Sequence, residues 1–599
     1  MSRRLVLGVV TAVAFAAATL LHAMPAAAAE LTARWTGGAG TLKWSDAANW
    51  SGGVVPTNGA PADPRYKVVI NPQAKVNVRL DLAVTVDALT IGAGQKLTVL
   101  NGRGLTIAAG GTSPPVISNA GTIALNSTGA TTDLQIFGDV VLSGGGSITM
   151  SDDEHNRIRG QAGAERLTNL DNTISGSGEI GADAMALTND GTILATGSLG
   201  LVVDTNAGGA INTGTMRASA GSSLAIRDTA LTNTGGLVRG SSTGGYAYVY
   251  VISSLIVGGV VDLTGRWAGE LRLTDSTLVG GTVTNRAPGT IRVELGTSAL
   301  SGLVTNPAGA LIAVDNGSTV VLDSAGVYNN DGKIALGSTG LDTDLRIRED
   351  VTVNGGGTIA LGNRTHNRIL GLDTGAEIFT NNGNTVSGGG QIGAGFMNFV
   401  NKGTLLPNAV TPMAIDPTTT FANMGDVRIP ASHTLQLGAG DNYTQTKGST
   451  LADGALSGTG QLLLSGGVLS GTGTIAPKVI NGGGSIRPGD PRGTLHMSAD
   501  YLDSASAQIS VELDGRRLPN YDQLTIAGTV TLASALHVSV GFASTHGDKF
   551  RIIANGGTDA VAGTFAGLAE NATFAVGTRS FKITYQGGDG NDVVLTNVT

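Results

Sequence analysis

The chain repeats one short phrase at near-constant spacing: an asparagine, one or two residues, a glycine, then an aliphatic residue. It reads Asn189-Asp190-Gly191-Thr192-Ile193, Asn212-Thr213-Gly214-Thr215-Met216 and Asn233-Thr234-Gly235-Gly236-Leu237. It returns at Asn285, at Asn306 (Pro307-Ala308-Gly309) and at Asn329, and again at Asn401-Lys402-Gly403 and Asn423-Met424-Gly425, in steps of 21–23 residues within each group. A fixed period in the twenties is the mark of a solenoid. It also removes the usual inference that 599 residues mean several domains, because a solenoid grows by stacking rather than by enlarging one core.

Composition agrees. The 92 Gly, with only 4% aromatic and 14% charged residues, suit a narrow interior filled by small side chains. Only 17 Pro and no Gly-X-Y period exclude collagen, and alternating Val, Ile and Leu argue against disorder. A net charge of −8 gives no electrostatic reason to expect nucleic acid. Cysteine is absent, which rules out disulfides and thiolate metal sites.

The local pattern is strand-like. Runs such as Ser147-Ile148-Thr149-Met150 and Lys96-Leu97-Thr98-Val99-Leu100 alternate with Gly, Asn, Asp and Ser clusters, and no segment sustains a helical period. Asn and Gly tolerate positive φ and are expected at the corner of each rung. Asparagines in register are expected to stack as a hydrogen-bonded ladder. Nearly twenty rungs at about 4.8 Å each would span roughly 90 Å.

A longer repeat overlies the short one. IALNSTGATTDLQIFGDVVLSGGGSITM from Ile123 returns as IALGSTGLDTDLRIREDVTVNGGGTIAL from Ile334, an offset of 211 residues that continues through His155-Asn156-Arg157-Ile158 and His366-Asn367-Arg368-Ile369. After one insertion NTISGSGEIGADAM pairs with NTVSGGGQIGAGFM. This is a duplication of whole rungs.

The ends differ from the middle. Arg3 and Arg4, the apolar stretch 6–21 and Ala27-Ala28-Ala29 read as a secretory signal peptide over 1–29, with a mature chain from Glu30. Ser2-Arg3-Arg4 leaves a twin-arginine route open beside the general one. Residues 30–75 hold Trp35, Trp44 and Trp50 and are expected to cap the first rung. Residues 76–499 read as the solenoid. From 500 to 599 longer strands, Gln508–Leu513 and Ala535–Val540, predict a C-terminal β-sandwich-like domain. No later stretch has the roughly 20 apolar residues of a membrane helix.

WTGGAGTLKWSDAANWSGGVVP resembles the opening of large bacterial secreted β-strand-repeat proteins, and NTISGSGEIGADAMALTNDGTI is similar to their internal rungs. SIRPGDPRGTL, YDQLTIAGTVTL and the final GGDGNDVVLT resemble the closing part of autotransporter-type passengers. The resemblance implies an all-β, right-handed parallel β-helix with an exported, adhesin-like role. It departs from autotransporters in lacking a membrane β-barrel after the passenger-like part, so cell attachment is not implied.

Three residue groups invite a chemical reading. Asp152-Asp153-Glu154-His155-Asn156-Arg157 is the densest polar cluster, and two carboxylates with a base would suit polysaccharide cleavage. The second copy keeps His366-Asn367-Arg368 but has Gly362, Asn363 and Arg364 before it, so the shared part reads as a rung corner with Arg bonded to carbonyls or Asp. Gly587-Gly588-Asp589-Gly590-Asn591-Asp592-Val593-Val594-Leu595 matches a calcium-roll nonapeptide, but a single copy reads as a hairpin turn before the last strand. Tyr246, Tyr248 and Tyr250 alternate on one strand face, and Trp267 follows one rung later; together they form either a sugar-stacking ladder or an ordinary stack between rungs. No GxSxG, Walker A or HExxH sequence occurs, and the seven His are scattered. The expectation is a secreted, non-enzymatic solenoid without cofactor or metal, contacting glycans or surface matrix and not nucleic acid. A β-helix polysaccharide lyase or glycoside hydrolase is the alternative.

Overall fold

The computed structural model describes residues 30–59, 64–108, 115–240, 245–263 and 269–599. The expected signal peptide and Trp267 lie outside the described residues. The chain is a parallel β-solenoid of about 20 turns, and among the described residues the one helical element is the single 3-10 turn Ala47–Asn49.

Each turn is built from three short strands that end at Gly, Asn or Asp corners. In one turn Gly178–Gly181, Met185–Asn189 and Thr192–Ala195 follow one another, and Leu201–Asp204 then pairs in parallel with Gly178–Gly181 of the turn before. Stacked turns therefore generate three long parallel sheets. Sheet A contains Gly178–Gly181, sheet B Met185–Asn189 and sheet C Thr192–Ala195. The alternation of apolar and polar residues decides what faces inward. On sheet A, Ile158, Ile180, Val203, Ile226, Val251 and Leu273 are fully buried while their neighbours point out. Each such side chain contributes roughly 1.5–3 kcal/mol, and that burial is shared mainly with adjacent turns.

The repeated asparagines form the expected ladder inside the solenoid. Asn169, Asn189 and Asn212 each donate through Nδ2 to the next asparagine at 2.8 Å, ending on Asn233. A second run joins Asn285 to Asn306, and a third joins Asn381, Asn401 and Asn423, after which Gln445 takes the place of Asn. All are buried, and each amide nitrogen finds a partner one turn away, while Asn285 Oδ1 and Asn381 Oδ1, at the heads of their runs, are buried without one. One position needs correction: the ladder partner of Asn306 is Asn330 at 2.7 Å, whereas Asn329 points to the half-exposed side. The glycine of the phrase serves in two ways: Gly235 and Gly309 take the expected positive φ, of 81° and 82°. Gly191 and Gly214 do not have positive φ; a Cβ there would stand 2.5 Å from the Asn172 carbonyl oxygen and 2.1 Å from the Gly191 carbonyl oxygen. The requirement is close passage of the previous turn's backbone.

The duplicated segment is displaced around the axis. Thr132–Phe137 and Asn156–Gly160 lie in sheet A, and their counterparts Thr343–Arg348 and residues 367–371 lie in sheet B. The asparagine ladder moves with it, from the end of sheet B strands (Asn189, Asn212) to the end of sheet C strands (Asn306, Asn330).

At the N-terminal end Glu30–Arg34 pairs with Arg65–Ile70, and Trp35, Trp44 and Trp50 pack edge to face with ring centroids 5.0 and 4.6 Å apart. The Trp44 and Trp50 indoles donate to the carbonyls of Pro56 and Trp44, so the three rings are buried without stranding a polar group. At the other end, parallel pairing continues across residue 500. Gln508–Leu513 pairs with Ala535–Val540, and Gln523–Ile526 with Lys549–Asn555. Apart from isolated bridges, antiparallel pairing begins where Lys549–Asn555 meets Asp592–Asn597, which continues to Arg579–Gly587 and Thr573–Val576.

Candidate functional site

Alternation on Ala247–Ile252 turns Ala247, Val249 and Val251 inward and Tyr248 and Tyr250 outward on sheet A. Tyr246 precedes the strand and is 59% exposed. The three rings stand nearly parallel along the strand, with centroids 6.1 and 6.0 Å apart. On the next turn Glu270 lies in register with Tyr248 and Arg272 with Tyr250. The Arg272 guanidinium sits over both rings, 4.9 Å from Tyr248 and 5.6 Å from Tyr250.

That arginine is fixed by carboxylates. It binds Glu270 at 3.1 Å and Glu294 at 2.7 Å, while Arg292 binds Glu270 and Asp315, each at 2.7 Å. Toward the N-terminus Arg227 joins Glu179 at 2.6 Å and Asp204 at 2.7 Å. The hydrogen bonds that Arg227 donates to Asp204 hold its guanidinium above its ordinary pKa, and burial pushes the Tyr250 phenol up. Both groups keep their ordinary charge at neutral pH. The result is a strip along the outside of sheet A in which tyrosines stand between two ion-pair networks.

The strip can do particular things. The faces of Tyr248 and Tyr250 are occupied by each other and by Arg272, so these rings offer edges and hydroxyls. Tyr246, at the end of the stack, is the ring with most of its surface open. The three tyrosines, read from sequence as either a sugar-stacking ladder or an ordinary stack, are a stack along one strand in which Tyr246 is the most exposed ring. Trp267, the fourth residue of the expected ladder, lies outside the described residues.

The polar cluster at 152–157 is consumed by structure. Asp152 accepts from Ser198 Oγ at 2.6 Å, Ser177 Oγ at 2.7 Å and the Leu199 amide at 3.0 Å, which holds its carboxyl well below the usual carboxylate range. His155 Nδ1 faces Asp153 at 2.8 Å. Asn156 is buried and donates to the Ser151 and Asp153 carbonyls, and Arg157 grips Asp133 with two nitrogens at 2.9 and 3.0 Å. The rung-corner reading of His-Asn-Arg describes both copies: Arg368 holds Asp344 through two bonds of 2.8 Å.

The nonapeptide at 587–595 is a hairpin turn between Arg579–Gly587 and Asp592–Asn597. Asp592 is buried, accepting from the Asn555 amide at 2.9 Å and pairing with Arg551 at 3.2 Å. Asn591 Nδ2 donates to the Gly557 carbonyl at 2.7 Å. Among the described residues no group of three or more His, Cys, Asp or Glu gathers as a metal site, and no helix is long and apolar enough to cross a membrane.

Two features carried no signal that sequence reasoning picked up. Phe379, Phe399, Phe421 and Tyr443 stack inside sheet C with centroids 6.0, 5.5 and 4.5 Å apart; their spacing of one turn each was the clue available. Burial and the neighbouring Asp416 carboxyl push Asp441 up to about 6. These two acids meet because they occupy one corner on successive turns, a relation that no local motif encodes.

No protein-family model matches this chain, and no curated protein matches it.

Proposed function

We propose that this is an exported, non-enzymatic contact protein whose outer sheet A face binds glycan of a surface or extracellular matrix. The observation that carries the reading is the outward Tyr246–Tyr248–Tyr250 stack, braced by Arg272 and set between paired charges. An exposed ring over a dense field of fixed donors and acceptors suits a sugar, which presents one apolar face and a rim of hydroxyls. A rigid solenoid adds length, so that weak contacts on successive turns act together. Export is supported by the leader-like residues 1–29. The enzymatic alternative has its best residues, Asp152, Asp153 and His155, committed to corner bonds.

The test is retention of the purified protein on insoluble polysaccharides, with an assay for newly formed reducing or unsaturated ends. The expected result is retention without product, weakened about tenfold in Tyr246→Ala, the loss of one stacking contact. Release of product would overturn the non-enzymatic reading, and full retention by Tyr246→Ala would remove the tyrosine stack from it.

A further inference from the structure

Sheet A carries a second concavity close to its C-terminal end, with a volume of about 520 Å³. Its floor comes from four consecutive turns: Ser470, then Arg487, then Gln508, Ser510 and Glu512, then His537 and Ser539. Register places Ser470, Arg487, Ser510 and His537 in one outward column and Glu512 beside Ser539 in the next. Four turns at about 4.8 Å spacing give a length of roughly 14 Å. One wall is Gly489-Asp490-Pro491. Gly489 bridges Gly471, and buried Asp522 pins the same loop, accepting from the Gly493 amide at 3.1 Å and the Glu512 amide at 2.8 Å.

This groove differs from the tyrosine strip in how its charges are used. There, Arg227, Arg272 and Arg292 each hold a carboxylate on the same or a neighbouring turn. Here Arg487, Glu512 and His537 are exposed, and among the described residues none of their side chains has a hydrogen bond or ion pair. A guanidinium donor, a carboxylate acceptor and an imidazole thus stand free on one floor, beside Ser510 and Ser539 hydroxyls. Glu512 and Asp490 offset Arg487, so the groove has no net attraction for an anion. Separated donors and acceptors with little net charge match the vicinal hydroxyls of an uncharged sugar.

We infer that this groove binds a neutral oligosaccharide segment lying along the solenoid axis, with Arg487 donating to and Glu512 accepting from its hydroxyls. The inference rests on the glycan-contact reading and names a second subsite and a ligand class for it. The experiment is calorimetric titration of the purified protein with cellotriose, mannotriose and maltotriose, and with trigalacturonate as the acidic counterpart. Arg487→Gln and Glu512→Gln alter exposed side chains, and a melting curve of each checks the fold. The expected result is binding of a neutral trisaccharide, weaker by about tenfold in each variant. Binding of trigalacturonate alone, or full-strength binding by both variants, overturns the groove assignment. Polysaccharide retention that Tyr246→Ala weakens and Arg487→Gln does not would refute the groove while leaving the tyrosine strip standing. If wild type binds no saccharide in either assay, both readings fall.

Discussion

The two copies of the duplicated segment make the same bonds on different faces of the molecule. In the first, Asp133 and Arg157 pair on sheet A; in the second, Asp344 and Arg368 pair on sheet B. Ser127 donates its amide to Asn156 and Ser338 to Asn367, at 3.0 and 2.9 Å. Asn119 reaches Asn172, and Asn330 reaches Asn384, each at 2.9 Å. A rung segment thus carries its own corner chemistry and works in any of the three sheets, since each bond is made to an adjacent turn that brings the matching residue. What a face displays depends on rotation. The tyrosine strip and the groove share sheet A, whereas the second copy's His366 corner leads from sheet A into sheet B.

The copies also differ in ways that predict unequal responses. The largest effect belongs to the interior. Phe399 stacks between Phe379 and Phe421, while the first copy has Leu187 at that place. Phe399→Ala should cost about 4 kcal/mol and Leu187→Ala about 3 kcal/mol. Phe399→Leu, which imports the first copy's residue, should cost less than about 1.5 kcal/mol. Hydrogen exchange of the flanking strands reads these locally, because a solenoid can open turn by turn. Equal losses for Phe399→Ala and Phe399→Leu would deny the stack its role.

Next come the buried corner amides. Asn156 Nδ2 reaches the Ser151, Asp153 and Ser177 carbonyls, but Asn367 Nδ2 reaches only that of Leu361. Asn156→Ala is expected to cost about 3 kcal/mol and Asn367→Ala about 2 kcal/mol, from the number of groups left unpaired. The reverse order, measured by chemical denaturation, would contradict this count.

The ion pairs should rank the same way with smaller values. Asp344 is held by Arg346 as well as Arg368, whereas Asp133 has Arg157 and the neutral Gln135. Arg157→Ala strands a buried carboxylate and should cost about 2 kcal/mol; Arg368→Ala leaves it one cation and should cost about 1 kcal/mol. A double-mutant cycle with Gln135→Arg should close the gap.

The smallest effect is a difference in acid sensitivity. Asp152 ties the Leu199 amide, and its counterpart Asn363 ties the Thr411 amide at 2.8 Å. The Asp152 carboxyl is held below its ordinary value of 3.8, chiefly by the Ser198 hydroxyl. Its folded-state pKa is depressed, so its contribution is complete above that value and is lost as pH falls below it. The neutral Asn363 tie has no such dependence. On acidification from about pH 5 to about pH 2, the Leu199 amide should lose protection relative to Thr411, and Asp152→Asn should abolish the difference.

Much of this was legible in the sequence. The asparagine phrase gave the turn, the ladder and the period, because each is a property of neighbours along the chain or one turn away. The corner role of His-Asn-Arg followed from what its second copy retained. Rotation was not legible. Asn233 directly follows a sheet B strand and Asn285 a sheet C strand, yet both carry the same phrase. Adjacent Asn329 and Asn330 have one composition and opposite facing, which only the strand register separates. Lengthening strands marked the part after residue 500, but length does not encode where strand pairing turns antiparallel. The groove stayed hidden because Arg487, Glu512 and His537 lie about one turn apart with no motif between them.

The claim that sheet A is the contact face has a direct test. The protein bound to a retained polysaccharide would be oxidatively footprinted and compared with free protein, residue by residue. Protection confined to Tyr246, Tyr248, Tyr250 and His537, with His155, His366 and His433 unchanged, is the predicted pattern. Protection at His366 or on the outward residues of sheets B or C, with the tyrosines still labelled, would contradict it.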